Sequence, residues 1–211
     1  MLGPVDWPHF LGFTLTGGAI VLSPGPDTIL ILRNAFAGGR RIALYTVAGV
    51  QLGLLTHTLA ATLGLSLLLA EWPAGFKIIA IGGAAYLGFL GLQSFRGGML
   101  DLSDAAGMRL SAWGGLRDAA FTNLLNPKVI LLFLALMPQF VVIARGQVPL
   151  QMLILSAWLI VLNILWQVPL ALLANTMRRF LLRPRAQRTL NWVAGAILLF
   201  FAGLLLWEYI F

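Results

Sequence analysis

The stretch "IVLSPGPDTILIL", residues 20–32, decides how this chain is read. It lies within an apolar run long enough to cross a bilayer, yet Pro24, Gly25 and Pro26 interrupt it and Asp27 follows at once. Proline lacks an amide hydrogen and clashes with the preceding turn, but it fits the first position of a helix. The segment therefore predicts a helix that stops and restarts at Pro26. Such a restart leaves unpaired amide hydrogens and a partial positive charge. Irregular backbone at membrane depth is tolerated only where protein or a watery cavity covers it. A carboxylate there needs a partner or water as well, since a charge at bilayer depth costs at least ~2.5–3.5 kcal/mol.

Composition places the stretch in a membrane. Of 211 residues, 60% are hydrophobic and 10% are charged, against roughly a quarter charged in soluble domains. Apolar stretches of about 20 residues, the length that crosses a hydrocarbon core, recur along the chain. Six spans are predicted, at about His9–Leu32, Ile42–Ala70, Ala74–Ser94, Ala119–Ala144, Leu150–Ala174 and Leu190–Tyr209. The predicted class is an all-α polytopic membrane protein with a single membrane domain, residues 1–211. The N-terminus lacks the basic region of a signal peptide, so its apolar run reads as a retained first span. The absence of cysteine excludes disulfides, thiolate metal sites and cysteine nucleophiles.

The net charge of +7 does not point to nucleic acid, because the basic residues sit in short connections between apolar runs. The first, third and fifth connections hold Arg33, Arg40 and Arg41; Arg96, Arg109 and Arg117; and Arg178, Arg179, Arg183, Arg185 and Arg188. The second and fourth hold only Lys77 and Arg145. Positive charge stays inside, so the odd connections are expected in the cytoplasm and both termini in the periplasm. Trp7, Trp72, Trp113, Trp192 and Trp207 fall near span ends, as interfacial aromatic belts do.

The connection Phe95–Asp118 is the long one and reads as a flexible or surface-lying cytoplasmic loop. It separates three spans from three, which must enter the membrane in opposite directions. An inverted repeat is expected, with repeat one at about residues 1–94 and repeat two at about 119–211. Its fourth span carries a second interruption, "TNLLNPKVILLF", residues 122–133. Asn126 is the expected N-cap and Pro127 the first-turn proline. Setting Pro26 against Pro127 places Asp27 opposite Lys128 at a constant offset of 101. Paired interruptions in matching positions point to a transporter's binding site.

Asp27 stands where a helix dipole favours a carboxylate, while Lys128 stands where it opposes an ammonium. Two readings follow: a structural ion pair that locks the halves, or groups that meet substrate and protons. In "AGVQLGLLTH", Gly49, Gly53 and His57 share a helical face, on which the glycines admit a neighbouring backbone. His57 is a proton shuttle, a metal ligand or a hydrogen-bonded residue of the bundle. Ser156, Asn163 and Gln167 share a face of the fifth span, as interior lining or as interhelical glue. Gly82, Gly83, Gly88 and Gly91 are expected at close-packed positions of the third span. No phosphate loop, paired-histidine metal motif or nucleophile elbow is present, so an enzyme is not expected. Transport driven by an ion gradient is the economical reading.

The stretch "SPGPDTILILRNAFAGGRRIALYTVAGVQLGLLTHTLAATLGL", Ser23 to Leu65, resembles the first signature of the lysine exporter (LysE/RhtB) family of bacterial inner-membrane amino-acid exporters. The stretch "FTNLLNPKVILLFLALMPQFV", Phe121 to Val141, resembles its second. Together they cover about a third of the chain. The resemblance implies six transmembrane helices as a 3+3 inverted repeat, with discontinuous first and fourth helices. It implies a secondary exporter of amino acids or related small metabolites, coupled to proton influx and needing no cofactor or metal. Ser23, Pro24, Gly25, Pro26, Asp27, Asn123, Asn126, Pro127 and Lys128 would form the substrate site, with Asp27 and His57 in proton coupling. Protons, an amino acid and the lipid bilayer are the implied partners, and a homo-oligomer is compatible with the pattern. The chain departs from the first signature at Val47, Ala48 and Gln51, where smaller, apolar residues are expected. The alternative is a metal-cation exporter, for which one histidine, no cysteine and a nearby lysine make a poor site.

Overall fold

The computed structural model describes residues 5–65, 73–96 and 111–210. Seven α-helices occur there: α1 (Trp7–Leu22), α2 (Pro26–Ala60), α3 (Pro73–Phe95), α4 (Ala112–Leu124), α5 (Pro127–Leu131), α6 (Val148–Leu181) and α7 (Pro184–Ile210). Wider π turns extend α2 over Ala61–Leu65 and α5 over Leu132–Leu136. Two short 3₁₀ segments, Met137–Phe140 and Ile143–Arg145, then lead to α6. Proline sets most of these starts: Pro8, Pro26, Pro73, Pro127, Pro149 and Pro184 stand at the first or second position of their helices. A missing amide costs nothing there. Pro169 lies inside α6.

Both expected interruptions are present. α1 ends at Leu22 and α2 begins at Pro26, with Gly25 extended at its N-cap. α4 ends at Leu124 and the chain restarts at Pro127, bent by 48° across the break. Among the described residues, four helices are long and apolar enough to cross a membrane, five when that bent pair counts as one span.

α2 is a hairpin rather than a rod. Gly39 has φ 77°, in the left-handed region where a side chain is strained. Asn34 Nδ2 donates to Thr46 Oγ1 at 2.8 Å, although twelve residues of straight helix would hold them about 18 Å apart. The chain therefore doubles back around Gly39, beside Arg40 and Arg41.

The exposed surface is apolar, and several polar side chains are buried within an otherwise apolar core. Leu15, Leu63 and Leu125 stand at least 70% exposed, whereas Ser23, Thr46, Asn123 and Ser156 are fully buried. Lipid tails are as apolar as leucine, so helix association depends on close backbone approach and buried hydrogen bonds. α2 packs mainly on α4 and α6, α1 on α6, and α3 on α7. A Cβ at Gly49 would fall 2.0 Å from the Leu116 carbonyl oxygen, and one at Gly53 would fall 2.5 Å from Asn123 Oδ1. The shared face of Gly49, Gly53 and His57 is thus the seam with α4. Gly91 and Gly195 form the equivalent seam of α3 with α7, each within about 3 Å of the other's carbonyl oxygen if given a Cβ.

Three expectations need correction. Residues 112–118 are helical and not loop, because Ser111 accepts from the Gly114 amide and caps α4 there; residues 97–110, with Arg109, lie outside the described residues, as does Trp72. α6 runs on past Ala174 to Leu181, its last turns carrying Arg178 and Arg179. Gly82 has nothing within 4 Å of a would-be Cβ and is not a packing position, unlike Gly83 and Gly91.

Candidate functional site

The two interruptions meet. Gly25 and Pro26 start α2 so that Asp27 sits in its first turn, where free amides favour a carboxylate. Across the break of the other half, Asn126 caps α5 by accepting from the Lys128 amide at 3.1 Å. The Asn126 side chain also donates to Asp27 Oδ2 at 3.1 Å, and Asn123 Nδ2 donates to the same oxygen at 2.9 Å. One asparagine thus caps one restart while holding the charge of the other. Asp27 Oδ1 is buried without a hydrogen bond.

Lys128 meets its unfavourable position with a partner other than Asp27. Its ammonium donates to the main-chain carbonyl of Ser23, the C-cap of α1. A helix C-terminus carries partial negative charge, which offsets the opposing dipole of Lys128's own helix. Among the described residues the ion pairs are Asp6 with His9, Asp6 with Arg145, and Arg117 with Asp118. Asp27 and Lys128 are not joined into one.

Both charges instead line a cavity of about 30 Å³, together with Gly25, Asn126, Asn163 and Gln167. That volume holds one or two waters, less than an amino acid needs. Ile20, Leu54, Leu132 and Leu159 close its apolar side. Ser23 Oγ and Asn163 Oδ1 are buried without partners. The site therefore offers one anion, one cation and several neutral polar groups around one small cavity. That is the complement of a small zwitterion.

Of the residues singled out from sequence, Ser23, Gly25, Asp27, Asn123, Asn126 and Lys128 come together here. Pro24, Pro26 and Pro127 shape the two breaks. His57 stands apart from the polar cavity. Its Nε2 lies 3.3 Å from the Asn123 carbonyl, its ring stacks on Phe133 at 5.5 Å, and it lines a separate apolar groove with Ala61 and Leu134. Asn123 is its link to Asp27. Ser156 is buried against Met137 Sδ and is interhelical glue, whereas Asn163 and Gln167 line the cavity. Gln51 carried no site signal in the sequence beyond its departure from the first signature, yet it donates to Gln167 Oε1 at 3.0 Å. Among the described residues, no group of three or more His, Cys, Asp or Glu side chains converges to hold a metal.

Comparison with known proteins agrees with the membrane architecture. The chain matches the family described as LysE type translocator over residues 19–209. It is 33% identical over 202 residues to the homoserine/homoserine lactone efflux protein of Salmonella typhimurium, covering 95% of this chain and 96% of that one. It is 31% identical over 193 residues to a threonine efflux protein of Salmonella typhi, covering 87% and 88%. It is 30% identical over 200 residues to the uncharacterized membrane protein YrhP of Bacillus subtilis, covering 90% and 95%. No solved structure matches the chain. Broken apolar helices, an apolar exposed surface and a family match over nine-tenths of the length agree: the chain belongs to the LysE family of membrane transporters.

Proposed function

We propose that the protein exports amino acids or closely related small metabolites across the bacterial inner membrane, driven by proton influx. The observation that carries this reading is the convergence of Asp27 and Lys128, from two broken helices, on one small cavity in which they are not paired. The Lys128 ammonium and the uncapped first-turn amides of α2 receive the cargo's carboxylate. Asp27 Oδ1 receives either the cargo's ammonium or a proton. Each occupant must leave before the other binds, and that exclusion couples proton influx to cargo exit. His57 bonds the Asn123 main chain, whose side chain holds Asp27, and so serves proton coupling by positioning that carboxylate. The names of the Salmonella relatives support cargo of this class.

The frame for this cycle is a six-span inverted repeat. α1 packs on α6 as α4 packs on α2, and α3 meets α7, which is the exchange expected of two halves related by a two-fold axis in the membrane plane. The Gly39 hairpin supplies the turn between the first and second spans. At about 30 Å³ the cavity is too small for the cargo, and rocking of one half against the other widens it. The deciding experiment is efflux of labelled amino acids from vesicles of known orientation, with and without a proton gradient. Export of amino acids that collapses with the gradient supports the reading; no gradient-dependent movement of any amino acid overturns it.

A further inference from the structure

One wall of the cavity is built by a pair of amides that the binding of ammonium and carboxylate does not use. Gln51 of α2 donates its side-chain nitrogen both to Gln167 Oε1 at 3.0 Å and to the Val47 carbonyl of its own helix at 3.4 Å. Gln167 lines the cavity, while Gln51 stands behind it. With its oxygen occupied, Gln167 presents its NH₂ as a donor. Four residues earlier on the same face, Asn163 lines the same cavity, is nine-tenths buried, and has an Oδ1 that accepts no hydrogen bond. The cavity lining therefore offers, besides the two charges, one neutral donor and one neutral acceptor.

Among the described residues, Asp27 and Lys128 are the only charged groups that line the cavity. A zwitterion occupies both, so a charged side chain would be buried without a counter-ion, which is costly. A hydroxyl both donates and accepts, and it matches the Asn163 and Gln167 pair. A methyl group of the same size would leave both amides unpaired.

We propose that Asn163 and Gln167 select a cargo whose side chain carries a neutral hydrogen-bonding group, a hydroxyl above all, and that Gln51 is the positioning residue that holds the Gln167 amide in its donor orientation. This rests on the reading of Asp27 and Lys128 as the site for the cargo's ammonium and carboxylate. The consequence is discrimination between isosteres, because a site built to bond a hydroxyl rejects the analogue lacking it far more strongly than an apolar pocket separates them.

The test is counterflow of labelled threonine, its isostere valine, and lysine in proteoliposomes holding the full chain. The wild-type protein is expected to favour threonine over valine by at least ~10-fold in apparent affinity and to exchange lysine poorly. Gln167→Leu should bring the threonine/valine ratio close to one, by weakening threonine and improving valine. Gln51→Leu and the milder Gln51→Met should lower the ratio by about 3–10-fold, mainly through the KM for threonine. A loss of folding or insertion lowers both cargoes alike, so the ratio separates selection from damage. A wild-type ratio near one overturns the proposal without any variant. So does an unchanged ratio in active Gln51→Met protein. If no amino acid exchanges at all, the exporter reading falls; if amino acids exchange without preference for the hydroxyl, that reading stands and this inference alone fails.

Discussion

The Lys128 ammonium bonds the main-chain carbonyl of Ser23, 105 residues earlier in the chain, and leaves the Asp27 carboxylate to Asn123 and Asn126. Opposite charges brought to one cavity would neutralise each other if they paired. Here each is held by neutral groups, the ammonium by a helix C-terminus and the carboxylate by two amides, so both keep an open side toward the cavity.

Asp27→Asn keeps the shape and part of the hydrogen bonding of the site but removes its titratable group. Gradient-driven efflux should fall by at least ~10-fold, while cargo exchange stays partly intact. The measurement compares net efflux with counterflow in the same vesicles. If Asp27→Asn still pumps against a gradient, Asp27 is not the coupling group.

Lys128→Gln should weaken cargo binding instead. Its KM should rise about 10–100-fold, the worth of a ~1.5–3 kcal/mol hydrogen bond to a charged group, with transport recovered in part at high substrate. Initial rates over a range of cargo concentrations separate this from a coupling defect, in which KM would hold and the maximal rate would drop.

Gly49→Ala and Gly53→Ala push a methyl group into the seam between α2 and α4, against the Leu116 backbone and the Asn123 side chain. Each should destabilise the protein by ~1–3 kcal/mol, seen as a lower melting temperature in detergent. Gly53→Ala should also impair transport, because it displaces a partner of Asp27. Gly82→Ala is the control: a Cβ there meets nothing within 4 Å, and alanine is the better helix former.

Asp6 caps α1 and bonds His9 and Arg145 at the start of the chain. The hydrogen bond from His9, aided by Arg145, holds its carboxyl below the ordinary carboxylate range. A lowered folded-state pKa contributes stability that is present above the unfolded value, about pH 4, and is lost as pH falls through the folded value. Asp6→Asn keeps a good N-cap but should lower the melting temperature at neutral pH and flatten the fall in stability below pH 4. Melting curves from pH 3 to 7 check this, and identical acid limbs in the two proteins would contradict it.

Reporter fusions made after Phe95 and after Phe211 should localise to opposite sides of the membrane, from the distribution of arginine between odd and even connections. A C-terminus in the cytoplasm would remove the basis for the inverted repeat.

The membrane class, the two helix breaks and the residues that flank them were legible in the sequence because their causes are local. Hydropathy over ~20 residues sets a span, a proline at the first helical position marks a restart, and Asn126 caps its own turn. The spacing of Gly49, Gly53 and His57 likewise fixed their common face, since helical periodicity needs no neighbour. Which groups meet across the bundle had no local cause. The partner of Lys128, the two amides on Asp27 and the Gln51–Gln167 bond join residues 96 to 116 apart. Sequence spacing carries no distance over such separations. Only the packing of α2 on α4 and on α6, and of the two helix breaks on each other, brings these groups within about 3 Å, and that packing decides which buried polar group satisfies which.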